Sequence, residues 1–225
     1  MKGHICANYL SNPDLKPPFI CLVVSGGHTY LCKVKDYTDI EVVGTTRDDA
    51  AGESYDKIAR KIGLGYPGGP KIDKLAKEGN GAAIDFPRVM LEKDSYDFSF
   101  SGLKTAVLNY ANQEEQKGRE VNKADLAASF QEAVVDVLVA KSLRLLEETG
   151  YKNFAISGGV AANSRLKERF EEELGKRNIG FYHPEPILCT DNAAMIAMAG
   201  YLDYQAGIRD DKFMKVYPNL ESVSY

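Results

Sequence analysis

Phe19-Ile-Cys-Leu-Val-Val-Ser-Gly-Gly-His-Thr29 is the stretch that decides the fold: six apolar residues run without a break into a serine and a pair of glycines. An apolar run without alternation reads as a buried strand. The pattern recurs as Phe154-Ala-Ile-Ser-Gly-Gly-Val-Ala-Ala-Asn163. Paired glycines after a buried strand admit positive φ and let backbone N–H groups approach an anion closely. The two contexts differ. After Gly27 the chain returns as a strand, Tyr30 to Val34, so Ser25-Gly26-Gly27 is expected at a hairpin tip. After Gly159 a helical pattern runs from Ala162 to Leu174, which makes Gly158-Gly159 a strand-to-helix corner. The N-terminus of that helix favours negative or polar ligands. Either copy could be an ordinary turn; two copies, each after a buried strand, favour a nucleotide-type cleft.

Working outward, strands are expected over 19–24, 29–35 and 39–44. A helix opens at Asp48 or Asp49 and runs to about Ile62, where Gly63-Leu-Gly-Tyr-Pro-Gly-Gly-Pro70 stops it. Pro70 is placed to begin another short helix, to Lys77. Asp97 to Ser101 alternates at period two and turns into a helix at Gly102. A long helix covers 124–149, with Phe130, Val134, Val137, Leu138 and Leu145 on one stripe. Strand 153–157, helix 162–176, strand 180–183 and helix 191–206 complete the pattern. Three adjacent strands followed by alternation give an α/β fold, a mixed sheet with flanking helices. Residues 1–18 form a lead segment ending in a Pro-rich linker, 19–206 the main body and 207–225 a tail. From Lys212 that tail has no strong period and is expected to be disordered.

The 225 residues, 44% hydrophobic, suffice for a sizeable core, and 28 basic against 32 acidic residues leave a net charge of −4. That balance argues against a dedicated nucleic-acid binder but leaves room for a local patch. Lys57, Arg60, Lys61, Lys71, Lys74, Lys77, Arg88 and Lys104 crowd the middle of the chain, either as solvated helix faces or as a polyanion dock. Cys6, Cys21, Cys32 and Cys189 show no metal-finger spacing. No segment approaches 18 apolar residues and none reads as a cleaved leader, so a reduced, cytoplasmic protein without membrane contact is expected.

Asp49, Glu53 and Asp56 fall at i, i+4 and i+7 on the expected helix. A row of like charges costs an isolated helix a few tenths of a kcal/mol and calls for something cationic opposite. Lys57 and Arg60 can answer Glu53 and Asp56; a ligand role for Asp56 is the alternative. Tyr66-Pro-Gly-Gly-Pro70 serves as a helix joint or as a binding loop beside Asp56 and Asp73. Asp191 is by default an N-cap or first-turn acid. HExxH, GxSxG and Walker A patterns are missing from the sequence, which leaves a protease poorly supported.

Together these segments resemble one family closely, the tRNA threonylcarbamoyl transferases, formerly described as O-sialoglycoprotein endopeptidases. The match rests on Val23-Val-Ser-Gly-Gly-His-Thr29, Asp48-Asp-Ala-Ala-Gly-Glu-Ser-Tyr-Asp-Lys57, Gly63 to Pro70, Asp97 to Thr105, Ile156-Ser-Gly-Gly-Val-Ala-Ala-Asn163 and Thr190 to Ile196. The resemblance implies an actin-like ATPase (actin/Hsp70/sugar kinase) fold closing on ATP or threonylcarbamoyl-adenylate. It implies substrate contacts at Val23, Val24, Ser25, Gly26, Gly27, Asp56, Gly69, Asp73 and Asn163. The hairpin tip would face the phosphate, the second corner the adenosine, and the acids the ribose hydroxyls.

His4 looks like the end of the family's His-Met-x-Gly-His motif, which with Asp191 would hold one divalent metal, iron or zinc. The motif's first histidine would fall just ahead of Met1, and the family's preceding lobe is not in the chain. The resemblance therefore implies about the last two-thirds of a family member, weakly active or inactive by itself. Partners so implied are tRNA, an actin-like paralogue subunit and a small ATPase subunit, or a second copy of this chain. The rivals to transfer of the threonylcarbamoyl group are an actin-like nucleotide-binding scaffold and, least supported, a metal-dependent glycoprotein endopeptidase.

Overall fold

The computed structural model describes residues 1–90, 92 and 94–209. The expected tail lies outside the described residues from position 210 onward.

The unbroken apolar run becomes β1 (Phe19–Val24), buried along its whole length, with a neighbour on each side. On one side β2 (Thr29–Val34) pairs antiparallel with it, and β3 (Ile40–Thr45) pairs antiparallel with β2. On the other side β4 (Asn153–Ser157) pairs parallel with β1, and β5 (Gly180–Tyr182) parallel with β4. The sheet is thus mixed, in the order β3-β2-β1-β4-β5.

Strand side chains alternate between faces, and helices cover both. On one face Ile20, Leu22, Val24, Phe154 and Ile156 join the larger core. That core includes residues of α2 (Ala51–Lys61), α3 (Gly68–Ala76), α4 (Ser101–Gln116), α5 (Lys123–Thr149) and α6 (Ser164–Gly175). On the other, Phe19, Cys21, Val23, Cys32 and Val34 pack with α1 (Lys2–Ser11) and with Leu202 of α7 (Ala193–Gln205). The lead segment is therefore part of the core: Ile5, Cys6 and Ala7 of α1 are fully buried. Burial pushes the Cys6 thiol up to about 11 and the Cys21 thiol up to about 12, so both behave as small apolar groups. Among the described residues no helix is long and apolar enough to cross a membrane.

Several helix starts fall later or earlier than the sequence suggests, and carboxylate and asparagine side chains that accept their first N–H groups accompany them. The second helix begins at Ala51, beyond Asp48 and Asp49. Asp48 instead accepts the N–H groups of Phe100 and Ser101 (2.9 and 3.2 Å) and the hydroxyls of Ser99 and Ser101, capping α4 from outside. Pro70 sits inside α3, which starts two residues earlier because Asp56 Oδ1 accepts the Gly68 N–H at 2.7 Å. A single-turn 3-10 helix, Gly159–Ala162, precedes α6, and the side chain of Asn163 caps α6 by accepting the Leu166 N–H. Asn192, rather than Asp191, caps α7.

Candidate functional site

Parallel β1 and β4 place both Ser-Gly-Gly turns at the same edge of the sheet, where α/β folds bind ligands beyond the carboxyl ends of their strands. The first is a two-residue hairpin tip: the Ser25 N–H donates to the His28 carbonyl at 2.8 Å, and Ser25 Oγ accepts the His28 N–H at 3.1 Å. Neither Gly26 nor Gly27 adopts the left-handed conformation that the sequence allows for. The glycine that the tip does require is Gly52, where a Cβ would stand 2.5 Å from the Ser25 carbonyl oxygen. Thr29 anchors the same junction by accepting the Ala51 N–H on its Oγ1 at 3.1 Å. In the second turn Gly158 has φ +90°, and a Cβ there would lie 2.4 Å from the Val24 carbonyl oxygen. The two turns therefore pack backbone to backbone.

Between them and α3 lies a cavity of about 430 Å³, within the size range of small-ligand sites. Five of the expected substrate residues line it: Gly26, Asp56, Gly69, Asp73 and Asn163. The other four do not. Val23 and Val24 are fully buried, one on each side of the sheet, because β1 is its central strand. Ser25 and Gly27 belong to the tip but lie off the cavity wall.

The cavity acids also hold helices in place. Asp73 accepts the Ser164 hydroxyl at 2.9 Å and the Ser164 N–H at 3.3 Å, fastening α3 to the start of α6. Asp56 holds the start of α3 through one oxygen, and its second has no protein partner among the described residues. The expected pairing of Asp56 with Arg60 is replaced by this backbone contact. Glu53 does pair with Lys57, at 2.7 Å, while Asp49, just ahead of the helix, is shared between Lys57 and Lys104. Asp49 and Glu53 are thus answered by cations of the protein, whereas Asp56 has only the Gly68 N–H among the described residues. The Asn163 amide donates to Gln131 Oε1 at 2.7 Å, so both ends of that side chain are engaged.

Sequence reasoning leaves out Gly52, Tyr55 and Thr190, which also line the cavity, and does not single out Tyr66. Tyr55 is buried against Phe130 with ring centroids 5.0 Å apart, and burial pushes its hydroxyl well above the usual tyrosine range. A glycine in the first turn of an amphipathic helix was the available signal for Gly52.

His4 and Asp191 do meet, with His4 Nε2 3.2 Å from Asp191 Oδ1. Burial lowers the His4 pKa, against the opposing pull of Asp191, which favours the neutral imidazole a metal would need. His4 Nδ1 is buried with no hydrogen-bond partner among the described residues. Two donors are fewer than a closed site needs, and among the described residues no group of three or more His, Cys, Asp or Glu stands ready for a metal.

A family model described as tRNA N6-adenosine threonylcarbamoyltransferase matches residues 1–198. Curated relatives of that description include one from Clostridium beijerinckii, 58% identical over 98% of this chain, and one from Clostridium kluyveri, 56% identical over 98%. The chain spans about 65% of the length of each. Among solved structures, full-length HypF in its phosphate- and nucleotide-bound form superposes with a TM-score of 0.67 at 15% identity, over 95% of this chain and 43% of HypF. The activator of the 2-hydroxyisocaproyl-CoA dehydratase from Clostridium difficile with bound ADPNP superposes at 0.53 and 14%, over 94% and 70%. These likenesses bear on the fold, which is that of the actin-like ATPases.

Proposed function

Since the chain belongs to the tRNA N6-adenosine threonylcarbamoyltransferase family, we propose that its cavity receives the adenylate half of threonylcarbamoyl-adenylate and serves transfer to a tRNA adenosine beside the anticodon. The observation that carries this is the convergence of Gly26, Asp56, Gly69 and Asp73 on one nucleotide-sized cavity between the two glycine turns. The unused oxygen of Asp56 is the acceptor offered to a ribose hydroxyl, and the hairpin tip offers backbone N–H groups to the phosphate side. In the reaction the exocyclic amine of the acceptor forms a bond to the carbamoyl carbon, the bond from that carbon to the phosphate oxygen breaks, and AMP leaves. The amine proton goes to the departing phosphate or to water. The protein's part is positioning and electrostatic support, since no cavity side chain is placed as a nucleophile.

A divalent metal, iron or zinc, would find two donors in His4 and Asp191 and would take its remaining ligands from outside the described residues. Partner subunits, an actin-like paralogue and a small ATPase, rest on the family resemblance alone, as does a cytoplasmic setting. The decisive experiment measures AMP binding by calorimetry and transfer of labelled threonylcarbamoyl to tRNA. Asp56→Asn keeps an acceptor for Gly68 but not the charge, and is expected to weaken AMP binding by about tenfold, ~1.4 kcal/mol. Unchanged AMP affinity in that variant would sink the assignment of the cavity.

A further inference from the structure

Tyr66, Lys74 and Lys77 also line the cavity, and their exposure puts them at its rim; the donor assignment above does not use them. Tyr66 is 76% exposed, although a large aromatic ring normally finds cover. Most cations nearby are engaged. Lys57 is held by Asp49 and Glu53, Lys61 by Glu115, Lys104 by Asp49 and Arg88 by Asp85 and Asp136, while Lys71 donates to the Leu64 carbonyl. Lys74 and Lys77 have no such partner among the described residues. They stand three residues apart, one at the end of α3 and one just beyond it, so both project on the same side.

A cavity of about 430 Å³ accommodates one nucleotide-sized ligand. If the donor occupies it, the acceptor must approach through its mouth, past this rim. An aromatic face standing in water beside unpaired cations is the chemistry of single-stranded nucleic-acid binding. Stacking is sequence-tolerant there, and the cations neutralise phosphodiesters.

We propose that Tyr66, Lys74 and Lys77 form the seat for the single-stranded RNA segment flanking the acceptor adenosine. Tyr66 stacks on an unpaired base, and the two ammonium groups meet adjacent backbone phosphates. This inference rests on the donor occupying the cavity, and it assigns the patch to RNA rather than to the donor's own phosphate.

The test uses the full chain with two probes in parallel. One is a labelled oligoribonucleotide of anticodon-loop length, followed by fluorescence anisotropy across salt concentrations; the other is AMP, followed by calorimetry. The double variant Lys74→Ala/Lys77→Ala should lose about tenfold or more in RNA affinity at low salt, and its log–log salt slope should flatten by about 1.4, at about 0.7 per phosphate contact. Tyr66→Ala should lose about fivefold or more with its salt slope intact, and Tyr66→Phe should retain binding. AMP affinity should stay within about twofold of the unmodified chain in all three, a margin of under ~0.5 kcal/mol. An unmodified chain that does not bind the RNA would overturn the proposal, as would an unchanged salt slope in the lysine variant. Loss of AMP binding in step with RNA binding would also overturn it, assigning the lysines to the donor phosphate. If the unmodified chain fails to bind AMP, the donor assignment falls, and the RNA arm by itself then decides the seat.

Discussion

The two Ser-Gly-Gly turns share a tripeptide, a preceding buried strand and an edge of the sheet, yet they differ in whether packing requires a glycine. At Gly158 the requirement is internal: a positive φ and a backbone contact with Val24 leave no room for a side chain. At Gly26 and Gly27 nothing among the described residues, apart from their chain neighbours, lies within 4 Å of where a Cβ would be, and neither residue is left-handed. The second turn is constrained by the fold, whereas the first is left open toward the cavity. A motif that looks like one signal repeated is required by packing at Gly158 and by nothing in the described structure at Gly26 and Gly27.

The largest effect should come from breaking the structural turn. Gly158→Ala combines an unfavourable φ with a backbone clash, a cost of about 3 kcal/mol or more. For a chain of this size that lowers the melting temperature by roughly 6–12 °C. A thermal melt shifted by less than about 2 °C would erase the distinction between the turns.

Next in size is the support beneath the second turn. Asp73→Ala strips Ser164 of its acceptor for both hydroxyl and N–H and loosens the start of α6, at a cost of about 1–3 kcal/mol. Urea unfolding should register it as a lower midpoint with an unchanged slope. A midpoint equal to that of the unmodified chain would mean that Asp73 is only a ligand residue.

The first turn should respond the other way round. Gly26→Ala should leave stability within about 0.5 kcal/mol, because the added methyl meets open space. It should nevertheless weaken AMP binding by about tenfold, because that methyl projects where the ligand approaches the tip. Equal AMP affinity in this variant and the unmodified chain would show that the tip is an ordinary hairpin.

Sequence patterning reached the sheet and most helices because its strongest signals, the apolar strands and the long stripe of α5, are local. The five expected residues that line the cavity are named by family resemblance, with patterning by itself offering the two glycine turns and a ligand role for Asp56. What it missed is non-local. Nothing near Asp48 in sequence reveals that its carboxylate caps a helix fifty residues away, and so the second helix starts later than expected. The resemblance places Val23 and Val24 in the site although their unbroken apolar run already reads as a buried strand, and the position of β1 between β2 and β4 removes both from the cavity wall. The left-handed φ expected of paired glycines holds at one turn only, since a two-residue tip can close without it. The meeting of His4 with Asp191 was legible through family resemblance, not through spacing, since the two stand at opposite ends of the described chain.

The smallest expected effect concerns acid, and it separates the turns once more. The hairpin tip leans on the start of α2, whose approach is held by Asp48 and Asp49. Burial by itself would raise the Asp49 carboxyl, but the ammonium groups of Lys104 and Lys57 outweigh it and hold it below the usual range. At Asp48 burial is likewise outweighed, by the hydroxyls of Ser101 and Ser99 and the N–H of Phe100. A carboxylate whose folded pKa is depressed lends stability above its unfolded value, about 4, and loses it as pH falls through the folded value. With solvent screening each of these groups is worth no more than about 0.5 kcal/mol. Hydrogen exchange at Ser25 and Ala51, whose N–H groups donate to the His28 carbonyl and to Thr29 Oγ1, should therefore quicken below about pH 4, after correction for intrinsic rates, while exchange at Ala161, whose N–H donates to the Gly158 carbonyl, holds until global unfolding. Asp49→Asn should flatten that acid dependence at Ala51 and leave Ala161 untouched. A parallel loss of protection at both turns would mean that the tip has no electrostatic support of its own and that the two turns open as one unit.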